Sequence, residues 1–256
     1  MVTVWNRYSA INSYFKTEYA TNINTYATLR VFMINLTKTY IPKKAKILTY
    51  QQIKKVIALL KDGKDDVLYR VIVLLMYFGL LRGTEVLNIK YEEVTFLDSG
   101  EVQIEYCTSS KTRIAGFSYL IPAQYKKEFK AYMDDWCPET GNFFLKNYRK
   151  DINKRMTKTG WRTLQKMTAR VEQLLKLPKK SLTTHSFRRS GATALANVGA
   201  SLIQLKRAGR WQSSTVAEGY IEHCLPEKRK QVTMMADGDA IDITSVSFFI
   251  HIYNMF

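Results

Sequence analysis

The sequence predicts a mainly α-helical fold carrying one small antiparallel β-sheet, an α+β class. Apolar residues recur at helical spacing over most of the chain, as in Ile53, Val56, Ile57 and Leu60, or Trp161, Leu164, Met167, Val171 and Leu174. Between Val94 and Ile121 the period drops to two. With 256 residues, 46% of them hydrophobic, the chain is long enough for one good-sized core and a small extra domain.

Residues 7–40 read as two helices rich in Tyr and Phe, separated near Thr21 and Asn22. They are short for an independent domain and read as the remnant of a larger one. Ile41-Pro42-Lys43-Lys44-Ala45-Lys46 is basic and opened by a proline, which makes it a linker. The expected division is therefore 1–45 as a short N-terminal helical region, 46–235 as the main domain and 236–256 as a tail. Thr49 with Gln52 is a capping box that starts the next helix. Asp65 and Asp66 open another, which runs to Gly79, a residue suited to the left-handed turn that ends helices. Its apolar run from Val71 to Leu81 is about half of the roughly 20 residues that span a hydrocarbon core, so it reads as a buried helix. Arg82 then lies just past a buried helix end, with Thr84 and Glu85 starting a short helix.

Val102, Ile104 and Tyr106 alternate with polar residues, as do Phe117, Tyr119 and Ile121, and Asp98-Ser99-Gly100 is a turn. The second connection of this sheet carries Ser109-Ser110-Lys111-Thr112. The rest reads as helix: one marked by Tyr125, Phe129, Tyr132 and Trp136, one from Trp161 to Leu174 before Pro178, and three short ones between His185 and His223. Ile241 to Phe256 is apolar without a clear period, and its structure does not follow from the sequence.

Lys and Arg total 39 against 22 Asp and Glu, a formal net charge of +17. So large a surplus implies a polyanionic partner, nucleic acid first and an anionic membrane surface second. Cys107, Cys137 and Cys224 lie far apart and are odd in number, which fits a reducing compartment and no cysteine zinc site. His185, His223 and His251 are not paired at ligand spacing, so no metal is expected, and no cofactor motif is present. The N-terminus has no apolar signal segment, and a soluble intracellular protein is expected.

Four segments carry chemistry suited to a phosphodiester. His185 and Arg188, three apart in H-S-F-R, share a helix face and bring an imidazole and a guanidinium toward one phosphate. Trp211 follows Gly209 and Arg210, with Tyr220 nine residues beyond. Arg82 is rigidly mounted after a buried helix, with Glu85 three residues on. Lys111 sits in a hairpin that brings a proton donor into a groove. Singly, each is better explained by ordinary packing, capping or solvation.

Together, in this order and spacing, they resemble the tyrosine recombinase (phage integrase-like) family over roughly residues 46–223. The style of the motifs is also similar to the recombinases of Crypton-type eukaryotic mobile elements. The resemblance implies a tyrosine recombinase catalytic domain that cuts and rejoins double-stranded DNA through a 3′-phosphotyrosyl intermediate. Tyr220 is then the nucleophile, Arg82 and Arg188 the phosphate clamp, His185 the base, Lys111 the acid, Trp211 a donor and packing wall, and Glu85 a support for its basic neighbours. It also implies a homotetramer on DNA, no cofactor, an incomplete DNA core-binding domain at the N-terminus and a nuclear location. Arg189 is expected to touch the DNA backbone. Lys126, Lys127, Lys130, Lys146, Arg149, Lys150, Lys154, Arg155 and Lys158 are candidates to line the groove. A type IB topoisomerase-like enzyme and a non-catalytic DNA-binding descendant of a recombinase are the alternatives.

Overall fold

A computed structural model describes residues 2–38, 45–61, 63–106, 116–136, 143–148, 156–221 and 225–238. The chain forms two compact units, Met1–Lys44 and Ala45–Phe256. The first holds α1 (Val2–Tyr19), a 3-10 turn at Ile23–Thr25 and α2 (Ala27–Thr37). Asn12, buried on α1, accepts a hydrogen bond from the Ile23 backbone N–H at 2.9 Å and so fixes the turn between the helices. Most of the linker segment lies outside the described residues.

In the second unit α3 (Tyr50–Leu59) starts at the expected box, in which Thr49 N–H donates to Gln52 Oε1 at 2.9 Å and Gln52 N–H to Thr49 Oγ1 at 3.2 Å. Next comes α4 (Lys64–Phe78), which is buried nearly all round from Val67 to Met76 because other elements pack on every face. The short α5 (Gly83–Val86) leads into a three-stranded antiparallel sheet of order β1-β2-β3, with β1 Val94–Phe96, β2 Val102–Tyr106 and β3 Phe117–Ile121. Val94 faces Ile104, and Ile104 faces Tyr119, so the apolar set of each strand falls on the side of the core. Gly100 turns the first hairpin at φ 103°, as the turn signal requires.

Next in the chain are α6 (Lys126–Trp136), the strands β4 (Lys146–Tyr148) and β5 (Met156–Lys158), and α7 (Trp161–Leu174). The antiparallel β4-β5 pair corrects the expectation of helix there. Its two strands are three residues each and mostly polar, so no period-two apolar signal exists to reveal them. The unit closes with α8 (Thr184–Asn197), α9 (Leu202–Gly209), α10 (Ser214–Ile221) and α11 (Leu225–Gly238). The Ile241–Phe256 tail lies outside the described residues. Among the described residues no helix is long and apolar enough to cross a membrane.

Candidate active site

The end of α4 departs from the expected cap. Gly79 keeps right-handed helical angles, and Leu80 takes the left-handed conformation at φ 47°. Glycine is needed at 79 for a different reason: a Cβ there would sit 2.4 Å from the Tyr119 ring of β3. The strained Leu80 presents its carbonyl to arginines arriving from two other segments. Two residues on, Arg82 is the N-cap of α5. Its backbone N–H donates to Glu85 Oε2 at 2.7 Å, and its Nη1 donates to Glu85 Oε1 at 2.7 Å.

The next part of the site comes from α8, packed tightly on α4. Gly191 lies against the Tyr77 carbonyl, where a Cβ would come within 2.0 Å of the oxygen. The preceding residue, Ser190, accepts through its Oγ from the Leu48 N–H at 2.7 Å and donates to the Ser186 carbonyl at 2.7 Å. Arg188 is 1% exposed, and its guanidinium donates to the carbonyls of Leu80 and Gly209. Burial, reinforced by the charges of Arg82 and Arg210, lowers its pKa to about 10, so it remains a cation at neutral pH. His185, one turn earlier on the same face, is exposed. Though solvent reaches the residue, the surrounding protein partly desolvates its imidazole and so pushes its pKa down, and Arg188, Arg82 and Arg189 add to this, which favours the neutral form that can take a proton.

The remaining part comes from α9 and α10. Arg210 ends α9, Trp211 follows, and the Tyr220 ring stacks on the Trp211 ring with centroids 5.2 Å apart and planes 19° apart. The Arg188 guanidinium carbon lies 5.2 Å from the Trp211 ring centre. Burial pushes the Tyr220 phenol up, while Arg189 and Arg188 pull it the other way.

Arg82, Glu85, Arg188, Trp211 and Tyr220 therefore meet through direct contacts, with His185 beside them. Lys111 lies outside the described residues. In the sequence Arg210 is only the residue that separates Gly209 from Trp211, yet it is central here. Its Nη2 donates to Glu85 Oε2 at 3.0 Å and to the Leu80 carbonyl at 3.1 Å, and its Nη1 donates to the Gly79 carbonyl at 3.2 Å. The Glu85 carboxyl, which burial would raise, is held below its usual range by the Arg82 N–H, the charge of Arg210 and the Arg82 side chain.

Several cations expected at the DNA are otherwise engaged. Arg189 donates to the Ala45 carbonyl at 2.8 Å. Lys126 donates to the Leu97 carbonyl at 3.3 Å, and Lys158 donates to Asn88 Oδ1 at 2.7 Å while lying 3.6 Å from the Phe143 ring centre. Lys127 and Lys130 are exposed. Arg149, Lys150, Lys154 and Arg155 lie outside the described residues, as does the side chain of Lys146. A groove of about 510 Å³ lined by Ile203, Lys206, Arg207, Arg210, Trp211 and Gln212 opens beside the site. A larger one of about 620 Å³, between α3, α4 and α6, holds none of the converging residues.

Residues 46–224 match the phage integrase family. Among curated proteins, the tyrosine recombinase XerA of Pyrococcus furiosus is 29% identical over 191 residues, covering 74% of this chain and 59% of the relative. The XerA of Thermococcus kodakarensis is 29% identical over 157 residues, covering 60% and 50% respectively. The chain thus spans little more than half the length of these relatives. Among solved structures, a Tn1549 transposon integrase in complex with transposon right end DNA superposes with a TM-score of 0.61 at 15% identity, covering 89% of this chain and 76% of that one. The XerH site-specific recombinase bound to its palindromic difH substrate, a post-cleavage complex, gives 0.60 at 16% identity, covering 76% and 54%. At such identity the likeness is one of fold, a helical domain with a small antiparallel sheet. The sequence match does extend over most of the second unit and takes in every residue that meets at the site, and on that ground the chain belongs to the phage integrase family.

Proposed function

We propose that the chain is a site-specific DNA recombinase or integrase that cuts and rejoins strands through a 3′-phosphotyrosyl intermediate formed on Tyr220. The observation that carries this reading is the meeting of a buried arginine, an exposed arginine and a tyrosine at one place: Arg188 under Trp211, Arg82 opposite through Glu85, and Tyr220 on the Trp211 face. The phenol oxygen attacks phosphorus and its proton passes to neutral His185. The bond from phosphorus to the 5′ oxygen breaks, and that oxygen takes a proton from Lys111, a role that rests on the family resemblance. Arg82 and Arg188 hold the non-bridging oxygens, each contributing about a hundredfold in rate by comparison with oxyanion donors. The new ester keeps the energy of the old one, so a 5′ hydroxyl reverses the step and reseals the strand without a nucleotide cofactor.

Strand exchange needs several cut strands held together, so the working form is a homotetramer on double-stranded DNA. The N-terminal unit would grasp the duplex as part of a core-binding domain. A place in a transposable element and in the nucleus follows from the Crypton-like motifs and the basic charge. A nicked suicide substrate, from which the cut fragment diffuses away, tests the reading. Covalent protein–DNA adduct is expected with the chain as it stands and none with Tyr220→Phe, which keeps DNA affinity. An adduct that survives that change removes the nucleophile assignment. Adduct with supercoil relaxation by a monomer indicates a topoisomerase instead, and tight binding with no adduct indicates a non-catalytic binder.

A further inference from the structure

Arg210 ends α9 at φ 53°, in the left-handed region where a side chain strains the backbone and glycine is the natural occupant. An arginine there is held by what its side chain does. The guanidinium joins the end of α4, through the Gly79 and Leu80 carbonyls, to Glu85 on α5 and to the face of Phe117 on β3, 3.9 Å from the ring centre. Two guanidiniums thus bind one carboxylate with opposite access to solvent: the Arg210 side chain is 10% exposed and that of Arg82 is 47% exposed. The other arginine near Glu85, Arg188, stands 3.9 Å away and already serves two carbonyls.

We propose that Arg210 is a positioning residue, the standing counter-ion of Glu85, whose presence frees Arg82 to turn from that carboxylate to a DNA phosphate. The proposal rests on the reading that a DNA phosphate enters this site. When Arg82 leaves, Glu85 keeps the buried Arg210, and the phosphate supplies the charge that Arg82 then faces. Without Arg210, the departure of Arg82 strands a largely buried carboxylate, and the cost of that stranding holds Arg82 in place. The exchange makes and breaks only hydrogen bonds and ion pairs.

The test is the salt dependence of binding to a short DNA duplex, measured in the Tyr220→Phe background. Each phosphate contact adds about 0.9 to the slope of log affinity against log salt, so Arg210→Gly should lower the slope by about one. Adding Glu85→Gln to Arg210→Gly should restore it, because no carboxylate remains to detain Arg82. Glycine relieves the backbone strain of this turn but gives up the buried ion pair with Glu85, so a cooperative melt is measured beside the slope to show that the variant is folded. Arg210→Lys keeps the charge, should keep the slope, and serves where the glycine variant does not fold. An unchanged slope in Arg210→Gly, no recovery in the double variant, or a lowered slope in folded Arg210→Lys overturns the proposal. A merely structural role gives loss without rescue. Adduct formation by the unmutated chain is scored separately: its absence sinks the cleavage reading while the slopes still decide the exchange.

Discussion

Arg188 and Tyr220 face one site from two differently packed parts of the chain. Arg188 rides on α8, which is rooted in the main core: Phe187 is fully buried, Gly191 touches the α4 backbone, and Ser190 ties the helix to Leu48. Tyr220 rides on α10, which rests on a separate small cluster of Ala196, Leu205 and Ala217, with Trp211 and Tyr220 only partly buried against it. At about 25 cal/mol per Å² of apolar surface, two alanines and a leucine contribute only a few kcal/mol. The difference suits the two proposed roles: the proposed phosphate clamp is fixed by the core, and the proposed nucleophile is carried on an element held by few buried apolar groups, the kind that opens at low cost.

The sharpest way to break this comparison is Gly191→Ala. The new methyl would sit 2.0 Å from the Tyr77 carbonyl oxygen and 2.5 Å from a Leu80 methyl, so α4 and α8 must part. A loss on the order of 3 kcal/mol or more in urea unfolding is expected. An unchanged midpoint would show that α8 is not rooted in the core as described. Leu205→Ala comes next. A buried leucine truncated to alanine costs about 2 to 3 kcal/mol, here spent within the small cluster. Hydrogen exchange should speed up in α9 and α10 while α4 stays protected. Equal loss in α4 would make the arm and the core one cooperative unit.

The smallest effect is the response to pH. Both His185 and Glu85 titrate below their ordinary values, so the unfolded chain binds protons first as the solution is acidified. The stability tied to His185 is complete above about pH 6.5 and falls as pH drops from there toward its depressed folded value. That tied to Glu85 is complete above about pH 4.3 and is lost as pH falls through its lower folded value. Urea midpoints for His185→Gln should therefore lose slope between about pH 7 and 5, and those for Glu85→Gln only below about pH 5. A His185 variant whose midpoint still falls equally over the upper window would refute the assignment.

Much of the site was legible because its parts are mounted by local rules. The capping box at Thr49, the apolar run of α4 and the His185-to-Arg188 spacing each follow from neighbours in sequence, and order and spacing then joined the distant pieces. What was not legible depends on contacts across the fold. Gly79 answers to Tyr119, a residue of β3, and not to the helix cap that a glycine after an apolar run suggests. The left-handed turn passed to Leu80, which nothing in its side chain announces. Arg210 is one cation in a very basic chain until the fold sets it against Glu85. A left-handed arginine beside a tryptophan has no sequence signal beyond the missing glycine.

The stack of Trp211 on Tyr220 also makes the molecule its own optical gauge. Indole emission reddens as water reaches the ring, and the phenol now covers one of its faces at 5.2 Å. With Trp5, Trp136 and Trp161 replaced by phenylalanine, the single remaining emitter would report when Tyr220 lifts away. Any such displacement on adding DNA then has a spectral signature, and a stopped-flow fluorimeter can time it without any attached dye.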